Sequence, residues 1–388
     1  MIQTGLDVLS GEQRADWSGC RFGLLSNQAS VNAGLEHGRS VLLKKFGSRF
    51  TTLFSPQHGF FSEKQDNMIE SDHLIDPVTG LPVYSLYGEY RKPTESMFSD
   101  LDILFIDLVD VGTRVYTFIY TMAYCLERAA ECGKKIIILD RPNPIGGELT
   151  EGNILQEECK SFVGLYPLPM RHGLTMGELA LLINAEYEIQ AELEVIPVKG
   201  WQRSMTFRKC GYPWIAPSPN MPTPETAMVY PGQVIWEGTT VSEGRGTTQP
   251  FEFVGAPYWD QDEILEVLET ENLPGCILRP VIFQPTSGKW AEKPCRGFQI
   301  YVTDEHQFRP YRTGLALLRA VMGLYEEEFS YKQPPYEYEY EKLPMDLILG
   351  DKAVRIGLEQ QVPLREIEAG WQEQLNEFDK LRQQYFLY

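Results

Sequence analysis

The chain has 388 residues, of which 54 are acidic and 35 are basic, so its formal net charge at pH 7 is −19. This charge repels phosphate backbones and anionic bilayers at long range, which makes nucleic acid and membrane surfaces unfavourable partners. A hydrophobic content of 43% excludes disorder, and the length exceeds what one core usually organises. We expect two packed domains and a small, diffusible ligand.

The cysteines, the histidines and the first residues of the chain indicate which bound groups and which location to expect. Seven cysteines include no C-x-x-C pair, and five histidines show no metal-binding spacing, so we expect no disulfide framework, no metal site and no cofactor. The first residues lack the basic start and apolar run of a secretory signal. No apolar stretch approaches the roughly 18 residues of a membrane span. We therefore predict a cytoplasmic protein.

Up to about residue 200, apolar β-branched runs alternate with segments of helical period. This alternation is typical of a parallel sheet with helices on both faces, so we predict a Rossmann-like, doubly wound α/β domain. The predicted strands are 21–26, 50–55, 101–108, 134–140 and 193–198, and the predicted helices are 37–46, 116–132 and 175–187. Thr175 and Glu178 have the spacing of a capping box, which favours a structural role for Glu178.

A Pro-rich segment, 212–224, breaks this pattern and predicts a loop between domains. We place the boundary there, with a Rossmann-like domain at 1–224 and a smaller α+β domain at 225–388. The predicted elements of the second domain are helices near 260–270, 313–325 and 364–385 and strands near 277–284 and 297–303. The aromatic spacing in the last helix predicts that it docks onto the core.

Polar side chains follow four of the predicted strands. Ligands of open parallel sheets bind outside the carboxyl ends of the strands, so we expect these side chains to share one rim. They are Asn27 and Gln28, then Gln57 and His58, then Asp107, Asp110, Arg114 and Tyr116, then Asp140, Arg141 and Asn143. A structural role competes at each position, since Asp107 could pair with a basic neighbour and Asp140 could cap a turn.

Missing motifs narrow the chemistry. The sequence contains no G-x-G-x-x-G, no G-x-x-x-x-G-K-[ST] and no G-x-S-x-G, which weighs against nucleotide-dependent enzymes and serine hydrolases. Carboxylates, arginines, amides and aromatic rings remain, and this set suits sugars: a carboxyl group protonates the leaving oxygen, and rings pack on the sugar. The aromatic candidates are Tyr84, Tyr87, Tyr116, Tyr120 and Trp201.

Several long blocks of the sequence resemble one family. They read SPQHGF at 55–60, GLPVYSLYGE at 80–89, IDLVDVGTRVYTFIYTM at 106–122, LDRPNPIGG at 139–147, YPLPMRHGLTMGELA at 166–180, PSPNMP at 217–222 and EGTTVSEGRGTTQPFE at 237–252. In order and spacing they are similar to the exo-β-N-acetylmuramidases. The resemblance implies a Rossmann-like domain, a smaller second domain, and a cleft between them that releases terminal N-acetylmuramic acid from cell-wall fragments.

One departure from the family affects the catalytic group. Where the family has P-E-H-G, with the glutamate as the favoured catalytic carboxylate, this chain has Gln57. An amide cannot donate a proton as a carboxylic acid does. Three alternatives remain open. Glu63 or Asp66 supplies the acid while Gln57 orients the substrate's acetamido group; Asp110 or Glu243 is the acid; or the protein binds an amino sugar or muropeptide without cutting it.

The lactyl carboxylate of N-acetylmuramic acid calls for a guanidinium in bidentate geometry. The candidates are Arg114, Arg141, Arg171 and Arg245, the last flanked by glycines that let a ligand approach the backbone. Further substrate contacts are expected from Asn27, His58, Asp66, Tyr116, Asn143, His172, Asn220 and Glu243. The sequence makes no prediction of oligomeric state.

Overall fold

The computed structural model describes residues 2–12, 17–65 and 68–388. The first domain is built on a seven-stranded sheet in the order β3-β4-β2-β1-β5-β6-β9, parallel except for β3 against β4. These strands are β1 Phe22–Ser26, β2 Phe50–Ser55, β3 Leu74–Ile75, β4 Pro82–Ser85, β5 Ile103–Asp107, β6 Lys135–Leu139 and β9 Glu192–Ile196. Both faces of β1 and β5 are buried, as expected for a parallel sheet covered by helices. The predicted α/β fold class is confirmed.

Helices cover this sheet and build most of the second domain. They are α1 Gly5–Gly11, α2 Gly38–Phe46, α3 Phe118–Cys132, α4 Met176–Glu186, α5 Phe207–Cys210, α6 Pro224–Gln233, α7 Gln261–Leu268, α8 Pro310–Leu324, α9 Pro344–Leu349, α10 Lys352–Glu359, α11 Leu364–Ala369 and α12 Gln372–Arg382. The capping box at α4 is present, because Thr175 accepts from the Glu178 N–H and Glu178 accepts from the Thr175 N–H. No helix within the described residues has the length and apolar character needed to cross a bilayer.

The second domain contains a three-stranded antiparallel sheet in the order β10-β12-β11. Its strands are β10 Phe253–Ala256, β11 Cys276–Phe283 and β12 Cys295–Val302, and a separate hairpin joins β7 Glu151–Ile154 to β8 Pro169–Arg171. One continuous hydrophobic cluster runs from β1 to α12 through both domains. The division after residue 224 stays a prediction.

The closing helix differs from its prediction. The segment 364–385 is not one helix but α11 and α12, separated at Gly370, followed by a short 3₁₀ turn at Gln383–Tyr385. Docking of this segment is as predicted: Leu375 and Phe378 are buried, and Arg382 donates to the backbone oxygens of Gly147 and Gly173.

Glu151, on β7, makes stability depend on pH. Its Oε1 accepts from the Arg312 N–H at 2.7 Å, its Oε2 has no hydrogen-bond partner among the described residues, and burial raises its pKa to about 7. In the unfolded chain the pKa of a glutamate is about 4.3, so the folded state holds the proton of Glu151 over a pH range in which the unfolded chain has released it. The favourable contribution of Glu151 to the free energy of unfolding is complete below the unfolded-state pKa and is lost as pH rises through the folded-state pKa. We expect the free energy of unfolding to fall between pH 5 and 8.

Glu151→Gln should remove much of this dependence, on the order of 3 kcal/mol, because the amide keeps an acceptor for Arg312 but does not ionise. Urea unfolding at pH 5 and 8 measures the difference. Some dependence will remain, since burial also raises the pKa of Asp140, to about 6. Glu157→Gln, at an exposed position, is the matched control. An equal pH dependence in Glu151→Gln and the wild type would contradict this assignment.

Candidate active site

A narrow pocket lies between the end of β2, the loop before α3 and two segments of the second domain. Its volume, including the mouth open to solvent, is about 470 Å³. Its polar and aromatic lining consists of Gln57, His58, Tyr116, Thr117, Phe118, Ser218, Asn220, Tyr230, Glu237, Arg245, Phe251, Tyr336 and Glu337. Two carboxyl groups, Glu237 and Glu337, therefore face one hollow.

Glu337 lies at the tip of a strained turn. Tyr336 and Glu339 exchange both backbone hydrogen bonds at 2.9 Å, which leaves Glu337 and Tyr338 as the two central residues of a tight turn. Their φ values are 47° and 67°, a left-handed conformation that non-glycine residues seldom adopt and that costs about 1–3 kcal/mol per residue. Such strain persists where surrounding contacts fix it, and here it places a carboxyl group in the pocket.

The Glu337 carboxyl group has two hydrogen-bond donors. Gln57 Nε2 donates to Oε1 at 3.1 Å, and the Tyr87 hydroxyl donates to Oε2 at 2.6 Å. Burial raises the pKa of Glu337 and the negative charge of Glu237 raises it further, whereas the two hydrogen bonds act in the opposite direction. The pKa is raised overall, so this carboxyl group retains its proton to higher pH than an exposed glutamate does.

Gln57 is held in one orientation by its neighbours. The Thr117 hydroxyl donates to Gln57 Oε1 at 2.5 Å, which directs the amide nitrogen towards Glu337 and the Tyr87 oxygen, 3.1 Å away. Residue 57 therefore presents a neutral N–H donor to the carboxyl group of Glu337. It positions that group but has no acidic proton of its own.

Glu237 has the opposite electrostatic environment. It lies on a 3₁₀ turn, Val234–Gly238, where Arg245 donates to Oε1 at 2.5 Å and the Tyr336 hydroxyl donates to Oε2 at 2.6 Å. Burial alone would raise the pKa of Glu237, but the charge of Arg245 and these hydrogen bonds outweigh burial and lower it. The pocket thus combines a carboxyl group whose pKa is raised with one whose pKa is lowered, which is how acid and base roles are separated in many enzymes.

Arg245 connects the pocket to a second ion pair behind it. Its Nε lies 3.3 Å from Glu243 Oε1, and Lys289 Nζ lies 2.7 Å from Glu243 Oε2. Glu243 does not line the pocket, and both of its oxygens face cations. It is therefore poorly suited to donate a proton, in contrast to one of the expectations from sequence.

Three other residues expected from sequence line the pocket. His58 has its Nδ1 2.7 Å from the Lys64 oxygen, so Nδ1 is the protonated nitrogen when the ring is neutral. Tyr116 is buried with its ring edge-on to Tyr230, 6.0 Å between centroids. Asn220 Nδ2 donates to the Gln65 oxygen at 3.1 Å.

Three of the four predicted guanidinium groups lie elsewhere. Arg114 is fully buried and donates to the backbone oxygens of Asn153, Leu168, Ile348 and Leu349. Arg141 forms a bidentate pair with Asp107, at 2.5 and 2.9 Å, so the ion pair considered for Asp107 is present. Arg171 is buried and donates to the Ile145 oxygen. Arg245 alone of the four reaches the pocket.

Most of the other polar side chains that we expected at the rim form hydrogen bonds within the protein and stabilise the fold. Asp110 Oδ2 accepts from the Gly112 N–H at 2.7 Å and lies 3.1 Å from His172 Nε2, and His172 Nδ1 accepts from Leu174. Asn27 donates to the Pro217 oxygen and Asn143 to the Leu174 oxygen. The expectation of one shared rim was therefore too broad, because crossing loops offer carbonyl oxygens that satisfy most of these groups.

The proposed acids near β2 also differ from expectation. Glu63 is exposed, and its Oε2 accepts from the Phe61 N–H of its own loop at 3.2 Å. It does not line the pocket. Asp66 lies outside the described residues. Among the residues that the structure describes, no group of three or more His, Cys, Asp or Glu side chains is arranged to hold a metal ion.

Sequence reasoning missed both carboxyl groups that face the pocket. One signal for Glu337 was available: Tyr and Glu alternate strictly from Tyr336 to Glu341, directly after two prolines. Glu237 opens the block EGTTVSEGRG, but only its second glutamate, Glu243, was considered.

Comparisons with known proteins match over nearly the whole chain. Residues 22–225 match the family model described as Exo-beta-N-acetylmuramidase NamZ, N-terminal, and residues 228–388 match the C-terminal model of the same family. The chain is 42% identical over 387 residues to the peptidoglycan beta-N-acetylmuramidase NamZ of Bacillus subtilis strain 168, covering 100% of this chain and 91% of the relative.

Two solved structures share this fold. Both are crystal structures of DUF1343 family proteins from Bacteroides fragilis NCTC 9343, and each comparison covers 100% of this chain and 99% of the other. The first has a TM-score of 0.89 at 33% identity, and the second has a TM-score of 0.77 at 29% identity.

Proposed function

Because the chain belongs to the NamZ family of exo-beta-N-acetylmuramidases, we propose that it hydrolyses the β-glycosidic bond of a terminal N-acetylmuramic acid in peptidoglycan fragments. The observation that carries this proposal is the pair of carboxyl groups in one pocket, Glu337 with a raised pKa and Glu237 with a lowered pKa. Glycoside hydrolysis needs a proton donor for the leaving oxygen and a negative group near the developing cation.

Glu337 is the proposed general acid. Its proton passes to the glycosidic oxygen as the bond from that oxygen to the anomeric carbon breaks, and the leaving sugar departs with a free hydroxyl group. A water molecule then supplies the hydroxyl group of the released N-acetylmuramic acid, and its remaining proton returns to Glu337. Gln57 and Tyr87 hold the Glu337 carboxyl group through hydrogen bonds of 3.1 and 2.6 Å and act as positioning residues.

Glu237 is the proposed anionic group. An oxocarbenium-like transition state carries positive charge, and an ionised carboxylate in a site shielded from water stabilises that charge more than bulk water does. Arg245 and Tyr336 keep Glu237 ionised in a buried position.

Arg245 is the proposed partner of the lactyl carboxylate. It is the one guanidinium group of the four candidates that lines the pocket, whereas those of Arg114 and Arg141 donate to backbone oxygens or to Asp107. Its pairing with Glu237 and Glu243 holds it in place. A sugar without the lactyl group would lack this charged hydrogen bond.

The first test is hydrolysis of the disaccharide in which N-acetylmuramic acid is β-1,4-linked to N-acetylglucosamine. We expect mass spectrometry to show free N-acetylmuramic acid. Replacing the muramic acid by N-acetylglucosamine exchanges the lactyl ether, with its carboxylate, for a hydroxyl group and should lower kcat/KM by about 10²-fold, since a charged hydrogen bond contributes about 1.5–3 kcal/mol.

Gln57 favours one competing function, which is binding without cleavage. In that case calorimetry would show saturable heat with the disaccharide, and the ligand recovered afterwards would be intact. Such a result would overturn the assignment of Glu337 as an acid. A cytoplasmic location stays a prediction.

A further inference from the structure

A wide groove adjoins the pocket on the side of the second domain. It encloses about 1420 Å³, including open solvent, and shares Asn220 and Arg245 with the lining of the pocket. Its other walls come from the loops at 246–250 and 283–288 and from prolines of the loop before α6. A ligand that extends out of the pocket past Arg245 therefore enters this groove.

The two loops that wall the groove are joined to each other. The Gly246 oxygen accepts from both the Thr286 N–H, at 2.9 Å, and the Thr286 hydroxyl, at 2.8 Å. Gly246 has φ of +79°, and a Cβ at this position would lie 2.4 Å from the Ser287 oxygen, so only glycine permits this approach. The groove is therefore formed by the fold itself and does not need a ligand to assemble it.

The chemistry of the groove is neutral. The described residues that line it include no acidic side chain, although the chain carries a net charge of −19, and their one charged side chain is Arg245 at the shared edge. Gln65, Gln284 and Ser287 offer amide and hydroxyl groups, and Phe283 offers an apolar ring. Neutral hydrogen-bonding groups beside the apolar surface of the largely buried Phe283 match an uncharged sugar ring.

A second hollow provides a contrast. It encloses about 1040 Å³ between the domains, and Glu225, Glu252 and Glu305 line it. Glu252 is buried, with Thr223 and Thr226 as its hydroxyl donors. Arg208 also lines this hollow and pairs with Glu225 and Glu305. The hollow shares no described lining residue with the pocket, whereas the groove shares Asn220 and Arg245, so the groove is the better continuation of the substrate path.

We propose that the groove binds the leaving-group sugar, a neutral N-acetylated hexosamine on the reducing side of the scissile bond, and that Gln284 and Ser287 hydrogen-bond to its hydroxyl or acetamido groups. This inference rests on the proposed function. It predicts that the enzyme distinguishes a sugar leaving group from an aromatic one through residues that do not touch the muramic acid.

The test compares two substrates in the full chain. One is the N-acetylmuramyl-β-1,4-N-acetylglucosamine disaccharide, and the other is 4-nitrophenyl β-N-acetylmuramide, whose leaving group has no hydroxyl or acetamido group. The double variant Gln284→Ala/Ser287→Ala should lower kcat/KM for the disaccharide by about 10-fold and leave the nitrophenyl substrate within about 2-fold. Ser287→Trp, which fills the groove, should lower disaccharide hydrolysis at least as much.

The control is Gln372→Ala, an exposed glutamine beside a different hollow, and it should change neither rate. Equal losses on both substrates, or no loss on the disaccharide, would overturn the groove as the leaving-group site while the proposed function stands. A wild-type chain that cleaves neither substrate would overturn the proposed function, and the leaving-group site with it.

Discussion

Glu337→Gln is expected to lower kcat on the disaccharide by about 10²–10⁴-fold, the range typical for loss of a general acid. The amide has nearly the same shape, and its oxygen can still accept from Tyr87 or Gln57, which now donate to Glu337 at 2.6 and 3.1 Å. It cannot supply a proton to the glycosidic oxygen. Steady-state kinetics measure the loss, and a circular dichroism spectrum like that of the wild type verifies the fold.

The leaving group provides an internal check on this role. Nitrophenolate departs with little need for protonation, so Glu337→Gln should affect the nitrophenyl substrate much less than the disaccharide. Glu63→Gln is the matched control: Glu63 is exposed and contacts its own loop, so its loss should leave both rates near those of the wild type. The opposite result, with Glu63 essential and Glu337 dispensable, would place the acid on the loop after β2.

The two carboxyl groups also fix the shape of the pH profile. Glu337 must be protonated, so kcat/KM should fall as pH rises through its raised pKa. Glu237 must be ionised, so kcat/KM should fall as pH drops through its lowered pKa. The plot of kcat/KM against pH should therefore be bell-shaped, with the alkaline limb caused by ionisation of Glu337. This limb should be missing from the residual activity of Glu337→Gln.

The strands of the first domain could be predicted because their signal is local. A run such as 103–106 is apolar throughout, and burial on both faces of a parallel sheet requires this pattern. Strand β4, Pro82–Ser85, was missed because it is short and begins with proline, and α6 was missed because it starts at Pro224 and contains Pro231. Local pattern identifies long regular elements and overlooks short or proline-containing ones.

The site could be predicted only in part because its chemistry is non-local. Gln57 and Glu337 are hydrogen-bonded but lie 280 positions apart in the chain. Arg114 looked like a ligand for a carboxylate, but the carbonyl oxygens of Ile348 and Leu349, more than 230 positions away, accept its hydrogen bonds. A sequence shows that a polar group follows a strand, but it does not show which distant backbone will satisfy that group.

The family resemblance supplied what the residue pattern could not. It singled out Gln57 and His58, which line the pocket, and it identified the substitution of the family's glutamate by Gln57. The carboxyl group that we propose as the acid, that of Glu337, lies on a turn in the second domain, where φ values of 47° and 67° mark residues that backbone preference alone would not place there.

Glu237→Gln is expected to lower kcat/KM by about 10²–10³-fold, as found when one preorganised group that stabilises transition-state charge is removed. The amide is neutral, so it loses the attraction for the developing cation, while its oxygen can still accept from Arg245 and Tyr336. Tyr336→Phe is the matched control, because it removes the hydrogen bond of 2.6 Å to Glu237 and leaves the charge. It should cost less than about 10-fold.

Azide distinguishes a direct role of Glu237 from a role through Arg245. In Glu237→Ala a small anion can occupy the vacated space, and if that space faces the anomeric carbon, added azide should raise the rate, with a glycosyl azide as product when azide itself forms the new bond. If Glu237→Gln instead raises KM with kcat unchanged and azide has no effect, Glu237 only holds Arg245 against the lactyl carboxylate. The substrate's own acetamido group would then stabilise the cation, because the other carboxyl group in the described lining of the pocket is Glu337, which is assigned to proton donation and has a raised pKa.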